Sequence, residues 1–343
     1  MYKLKKLLPI WVLLLSGCTT ALDEHQGCSS EPVYIHFTTG SGFNVDVDVD
    51  VNTRSGSAYR TIGMVGFGTT TMANQKLGDF TNVNALSEGL RNSPYTMEPI
   101  AGNAGAYSVT PNEGIDPMFP YEAHAAVGIH AYSPYTEPLK YGGRSLGWYV
   151  SVDVNTDHAQ TDWLYCDTLC ARKDYTGEVN LNFKHLLVRL DVIINSVDGA
   201  NSSDMSRSPM QRDAVCLDSC YYVKQANESV EASAKVTTRA GFAPLVVVYT
   251  DTNGKGQLLL SNGTLNGVTF DSEEYEVSTS VSDDTQTATF YLVPGTSIYR
   301  IVVDGVEYRP YRNQELIEKD KLSDKAGTLR EITINHPRTD NNL

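Results

Sequence analysis

After residue 15 the chain has no apolar run approaching the roughly 18 residues that would mark a membrane-spanning helix. It is poor in cations, with 27 Lys and Arg against 41 Asp and Glu and a formal charge of −14. Neutralising phosphate takes clustered Lys and Arg, so nucleic acid is excluded as a partner, and so is membrane adhesion through a basic face. The common catalytic signatures are missing: there is no Gly-x-Ser-x-Gly, no His-Glu-x-x-His, and no phosphate-binding or dinucleotide glycine loop. The seven histidines are scattered, the nearest pair being His124 and His130. A lone strand histidine such as His185 is more often a polar residue beside a core than a ligand or a base. No enzymatic activity, cofactor or metal is therefore expected.

What is present begins at the amino terminus. Lys3, Lys5 and Lys6 precede an apolar stretch from Leu7 to Leu15, which is followed by Ser16, Gly17 and Cys18. The apolar stretch is too short to span a bilayer, and its form is that of an export signal. Small residues directly before a cysteine resemble the lipobox of bacterial lipoproteins. That resemblance implies removal of residues 1–17, acylation of Cys18 and attachment to the outer membrane through lipid, each buried methylene contributing about 0.8 kcal/mol. Residues 18–31 read as a polar tether.

Cys28, Cys166, Cys170, Cys216 and Cys220 remain. In an exported chain, two Cys-x3-Cys pairs read first as disulfides of open connectivity, with Cys28 left over. A zinc site built from the four is the competing reading, weakened by the spacing and by the oxidising compartment.

Val33 to Phe37 alternates, and Val45, Val47, Val49 and Val51 then alternate strictly with Asp46, Asp48 and Asp50, the pattern of a half-buried strand. A calcium loop would need glycine and glutamate where Val51 and Ser57 stand, so three aspartates on a solvated face are the better account. A polar loop follows with Arg54 at its centre. Residues 62–67 and Ala126–Tyr132 read as strands. Pro94 to Pro138 holds seven of the 14 prolines and is expected to form loops and edge strands. From Glu178 to Ile194 the apolar residues hold odd positions up to Phe183 and even positions from Leu186. The change of phase predicts a bend near His185, so that one long segment serves two packed surfaces. Ser196 to Asp213 reads as a linker. Beyond it, strands over 245–249, 257–260, 275–280, 288–293, 297–303 and 329–334 are separated by Asn-Gly, Pro-Gly and Asp-Gly turns. Only Val83–Arg91 and Gln314–Leu322 look helical. The chain reads as all-β, with one antiparallel sandwich over 32–197 and a second over 198–343.

Three segments in order carry a resemblance: Gly128-Ile-His-Ala-Tyr-Ser-Pro134, Gln160-Thr-Asp-Trp-Leu-Tyr165, and Val179-Asn-Leu-Asn-Phe-Lys-His-Leu-Leu-Val-Arg-Leu190. Together with Thr289–Gly295 and Ile301–Tyr308 they resemble the fimbrillin family of Bacteroidales cell-surface proteins. Ser133, Cys166 and Arg189 depart from that family's pattern, and the paired cysteines are foreign to it. The resemblance implies two transthyretin-like β-sandwich domains in tandem and a fimbrial subunit at the cell surface that contributes to adhesion. It also implies a trypsin-like cut after an arginine, which releases the first strand so that a strand of another fimbrial subunit takes its place. Arg54 is the first candidate for the cut and Arg60 the second, with Val45, Val47, Val49 and Val51 as the exchanged strand. Few residues follow the last expected strand, which shifts the expectation from stalk toward tip or anchor. The alternative is a non-polymerising surface lipoprotein that binds glycan or a host protein through the Pro94–Pro138 loops, with Trp148 and Trp163 suited to stacking on sugars.

Overall fold

The computed structural model describes residues 31–39, 60–69, 86–102, 106–112, 114, 116–121, 125–154, 162–197, 220–224, 244–281, 286–313 and 315–337. The strands of the first half are β1 (Phe37–Thr38), β2 (Arg60–Thr69), β3 (Leu86–Pro99), β4 (Tyr107–Pro111), β5 (Ala126–Ser133), β6 (Lys140–Tyr141), β7 (Trp148–Asp153), β8 (Leu164–Ala171), β9 (Val179–Asn180), β10 (Lys184–His185) and β11 (Val188–Val197). Those of the second half are β12 (Cys220–Lys224), β13 (Leu245–Thr250), β14 (Lys255–Leu259), β15 (Thr264–Asn266), β16 (Tyr275–Ser280), β17 (Thr287–Leu292), β18 (Ser297–Val303), β19 (Val306–Arg312), β20 (Glu315–Leu316), β21 (Asp320–Lys321) and β22 (Leu329–Pro337). Among the described residues the one helical element is a 3-10 turn at Arg172–Asp174. The all-β expectation therefore holds.

Both expected helices are replaced by strands. Leu86–Arg91 lies in β3, where Leu90 is fully buried and Gly89 takes φ +76°, a conformation foreign to a helix interior. Of the expected Gln314–Leu322 helix, the described residues 315–322 hold β20 and β21 instead. Asp320 is buried there, with Arg312 and Arg330 each 3.5 Å from its carboxylate. The proline-rich region is also more regular than expected: β3 lies inside a sheet between β2 and β4, with Pro94 opposite Gly63.

The first sheet has eight strands in the order β10-β8-β5-β2-β3-β4-β1-β9. Its two edges, β9 and β10, are consecutive in the chain, so they lie within about 15 Å of one another. The sheet must therefore roll up around a core, which holds Ile35, Phe37, Ile62, Met64, Tyr95 and Ile129 among others. In the second half, the three-stranded sheet β17-β11-β22 faces the sheet β12-β19-β18-β13-β16. Val188, Leu190, Val192 and Ile194 of the first sheet bury against Val246, Val248, Ile301 and Val303 of the second, which makes a sandwich. Among the described strands all pairs are antiparallel except β1 with β9 and β11 with β22.

A third core joins the halves. A four-stranded sheet, β15-β14-β7-β6, takes two strands from each half. Its Val150, Val152 and Leu258 pack with Val65, Phe67, Tyr132 and Tyr165 from the rolled sheet, with Trp163 just before β8, and with Leu186, Leu187 and Tyr291.

The segment 179–194 threads all three cores: Val179 and Leu181 enter the roll, Leu186 and Leu187 the middle core, and Val188 to Ile194 the sandwich. The expected bend is present, and the Asp162 carboxylate holds it by pairing with His185 Nδ1. The boundary expected at 197/198 leaves β11 with the first half; its hydrogen-bonded neighbours are β17 and β22, and the change of core falls at 186–187. Alternation reports that a strand is buried on one face without naming the strand beside it.

Candidate functional site

The amino-terminal strand is held on both sides. Phe37 and Thr38 pair antiparallel with Val109 and Ser108 of β4, and parallel with Val179 and Asn180 of β9. Around this short ladder the Ile35 amide donates to the Pro117 carbonyl at 2.8 Å and the Phe119 amide to Val33 at 3.0 Å. The Val179 and Leu181 amides donate to His36 and Thr38, each at 2.8 Å. Thr39 and Tyr107 close the far end, the Thr39 amide giving 3.0 Å to the Tyr107 carbonyl and the Tyr107 amide 2.9 Å to the Thr39 hydroxyl. At the near end the Arg172 guanidinium donates to the carbonyls of Pro120 at 2.8 Å and Glu31 at 3.2 Å. The His36 amide donates to the Tyr175 hydroxyl at 2.9 Å.

Period-two alternation sets which side chains fill the roll. Ile35 is 1% exposed and Phe37 5%, whereas Tyr34, His36 and Thr38 point away from the core. Phe37 meets Tyr95 edge-on at 5.9 Å between ring centres. Full burial of side chains of this size contributes about 1.5–3 kcal/mol each. The segment is thus a plug with two apolar teeth in a slot that has a hydrogen-bonding wall on either side.

Cys18, Arg54, Cys216, and the alternating Val45, Val47, Val49 and Val51 lie outside the described residues. Arg60 opens β2, and the residues after it are already in the ladder: Thr61 faces Thr96, and Ile62, fully buried, faces Tyr95. Cys220 begins β12. Cys166 and Cys170 are free thiols on β8. Four residues along one strand separate them by about 13 Å, beyond the roughly 7 Å that a disulfide spans, so they do not bridge to each other. Burial pushes the Cys166 thiol up to about 12 and Cys170 up to about 11, which makes both poor nucleophiles. Trp163 is buried and stacked on Tyr132 at 6.5 Å, so it offers no face to a sugar. Among the described residues no group of three His, Cys, Asp or Glu side chains could hold a metal. No helix among them is long and apolar enough to cross a membrane. The residues that sequence reasoning passed over are Ile35 and Phe37, although their alternation was visible.

The motif residues behind the resemblance gather at the middle core. His130 is buried, and its Nδ1 lies 2.9 Å from the Tyr165 hydroxyl. That hydroxyl donates to the Leu260 carbonyl at 2.6 Å, so His130 must supply an N–H to it. The chain His130–Tyr165–Leu260 ties β5 and β8 to the end of β14. Burial pulls the His130 pKa down to about 4, against an opposing contribution from Asp167. The Tyr165 ring also lies where a side chain on Gly263 would be, an added Cβ falling 2.1 Å from its edge, and Gly263 holds φ +66°.

No protein-family model matches the chain, and no curated protein matches it. Among solved structures it is similar to a candidate cell adhesion protein of Bacteroides uniformis, with TM-score 0.48 and 18% identity over 90% of this chain and 94% of that one. A candidate cell adhesion protein of Bacteroides fragilis gives TM-score 0.47 and 11% identity over 91% and 95% of the two chains. The tip fimbrial protein Mfa3 of Porphyromonas gingivalis, with a C-terminal truncation, gives TM-score 0.36 and 10% identity over 90% and 97%.

Proposed function

We propose that the chain is a fimbrial subunit of the bacterial cell surface, of tip or anchor type, whose amino-terminal strand is a removable plug. The precursor is held at the outer membrane by lipid on Cys18. A trypsin-like cut after Arg54 then frees the residues before it, and a strand from another fimbrial subunit enters the vacated slot. One observation carries this reading. The plug, 33–39, precedes Arg54 in the chain, yet it fills the core of the roll and hydrogen-bonds to β4 on one side and β9 on the other. Its loss leaves two rows of unpaired backbone groups and two empty apolar positions, which an alternating strand satisfies. On this reading the plug, 33–39, is the part that leaves the groove, together with everything before the cut.

Arg54 is favoured over Arg60 because Arg60 is already in the β2–β3 ladder, opposite Met97. A protease binds several residues on either side of the cut in extended, unpaired form. After Arg60 that would mean stripping Thr61 and Ile62 from β3, whereas Ser55-Gly56-Ser57 follow Arg54. An acceptor role fits the other end of the chain as well, because β22 is committed to β11 as far as Pro337 and is not a free donor.

The test is limited digestion of the precursor with a trypsin-like protease, followed by amino-terminal sequencing. The expected product begins at Ser55, lacks the plug, and regains thermal stability when a synthetic peptide of residues 31–39 is added. The same peptide with Ile35→Asp and Phe37→Asp gives no recovery. A precursor that stays whole, or a cut protein indifferent to the peptide, refutes the reading.

A further inference from the structure

Among the described strands β22 is hydrogen-bonded on one side only. β11 lies along it in unbroken parallel register from Arg189↔Leu329 to Val197↔Pro337, and among the described strands none pairs with its other edge. The Arg189 amide donates to the Thr328 carbonyl at 2.9 Å, which sets the phase of the ladder. In a parallel pair that phase gives the backbone groups of Arg330, Ile332, Ile334 and His336 to β11. Those of Leu329, Glu331, Thr333 and Asn335 turn to the open edge. A nine-residue edge without a bulge is a template for another strand.

We propose that this edge pairs with the same edge of a second copy of the chain, antiparallel about a two-fold axis at Thr333. Residue types and charge support that occupant. With the axis at Thr333, Glu331 stands opposite Asn335 and Arg330 opposite His336, so no like charges meet. Burial lowers the pKa of His336, which keeps it neutral at neutral pH. Ile332 and Ile334, both buried, stand opposite one another across the axis and continue the apolar layer. Leu329, 56% exposed in one copy, comes opposite the apolar Pro337. Sliding the axis to Glu331 would instead set two carboxylates face to face. The two three-stranded sheets then become one of six strands, an isologous contact of the kind that closes a dimer. Each copy carries a net charge of −14, so the pairing strengthens as salt screens that repulsion.

The pairing makes a register-specific prediction. Thr333 and its mate form a hydrogen-bonded pair with Cα atoms about 5.5 Å apart, inside the roughly 4.4–6.8 Å range of a disulfide. Glu331 and its mate lie more than about 13 Å apart. Full-length protein in detergent, carrying either Thr333→Cys or Glu331→Cys at these exposed positions, is oxidised mildly and run without reductant. The Thr333→Cys chain is expected to give a dimer at least about tenfold more abundant than the Glu331→Cys chain, with peptide mass spectrometry finding the 333–333 link. Wild-type protein should sediment as a dimer, more so at high salt. Thr333→Pro, which removes an outward N–H and leaves the β11 ladder intact, should sediment as a monomer with an unchanged far-UV spectrum. A monomeric wild type, equal cross-linking of the two cysteine variants, or a dimer that survives Thr333→Pro overturns the proposal.

Discussion

Tyr165 is the residue on which the two halves of the chain meet. Its hydroxyl accepts from His130 and donates to the Leu260 carbonyl. Tyr165→Phe leaves both of those buried groups without a partner and should cost about 1–3 kcal/mol, read from the denaturant midpoint at constant slope. Gly263→Ala should cost more, because it adds a clash with the same ring to a backbone at φ +66°. His130 adds a pH dependence. Its pKa is near 4 in the folded protein against an ordinary value of 6.5, so between those values the unfolded chain holds a proton that the folded one does not. Stability should therefore fall as pH drops through that window, by up to about 1.4 kcal/mol per pH unit, and level off below it. His336 is shifted in the same direction by burial. The difference between wild type and His130→Gln, which keeps a donor for Tyr165 without titrating, isolates the His130 share. The sequence placed His130, Tyr132 and Tyr165 in recognisable motifs but gave no sign that they gather at one junction, since that depends on which strands become neighbours.

At the scale of the element, β1 shows how a very short strand can carry much of a core. Phe37→Ala in the uncut protein should lower stability by about 3–5 kcal/mol, the usual cost of emptying a buried aromatic position. After a cut at Arg54 it should speed loss of the plug, measured as release of a labelled amino-terminal fragment. Short apolar runs bounded by turn residues were enough to find β5, β13, β16, β17, β18 and the start of β22, even though β5 is buried along its whole length rather than on one face. β3 was misread because Ser87, Leu90 and Arg91 suggest a helical face, and only the packing of Leu90 inside the roll decides the matter. β20 and β21 were misread for a related reason: the acidic and basic residues that mimic a helix surface there serve a buried Asp320.

For the whole molecule, the useful question is whether either half stands alone. A fragment ending at residue 197, where the sequence suggested a boundary, would carry β11 without β17 and β22. Val188, Leu190, Val192 and Ile194 would then lie open to water. It would also leave β7 without β14. Such a fragment is expected to bind an apolar dye strongly and to be digested quickly, while the complete chain unfolds in a single transition with coincident signals from near- and far-UV circular dichroism. The sequence showed two units' worth of strands. The third core stayed hidden, because Val150, Val152 and Leu258 look like any inward-facing strand residues until their partners are known.

The parallel seam between β11 and β22 has a mechanical consequence. The chain enters β11 from the roll at one end of the seam and leaves β22 past Pro337 at the other. A pull between the roll and the residues after Pro337 therefore slides the two strands lengthwise against each other. Backbone bonds along the whole seam are loaded together, and none can peel open ahead of the rest. Tugged from both ends, the protein would meet that strain with the longest unbroken ladder among its described strands set in shear, the direction in which a β-sheet gives way last.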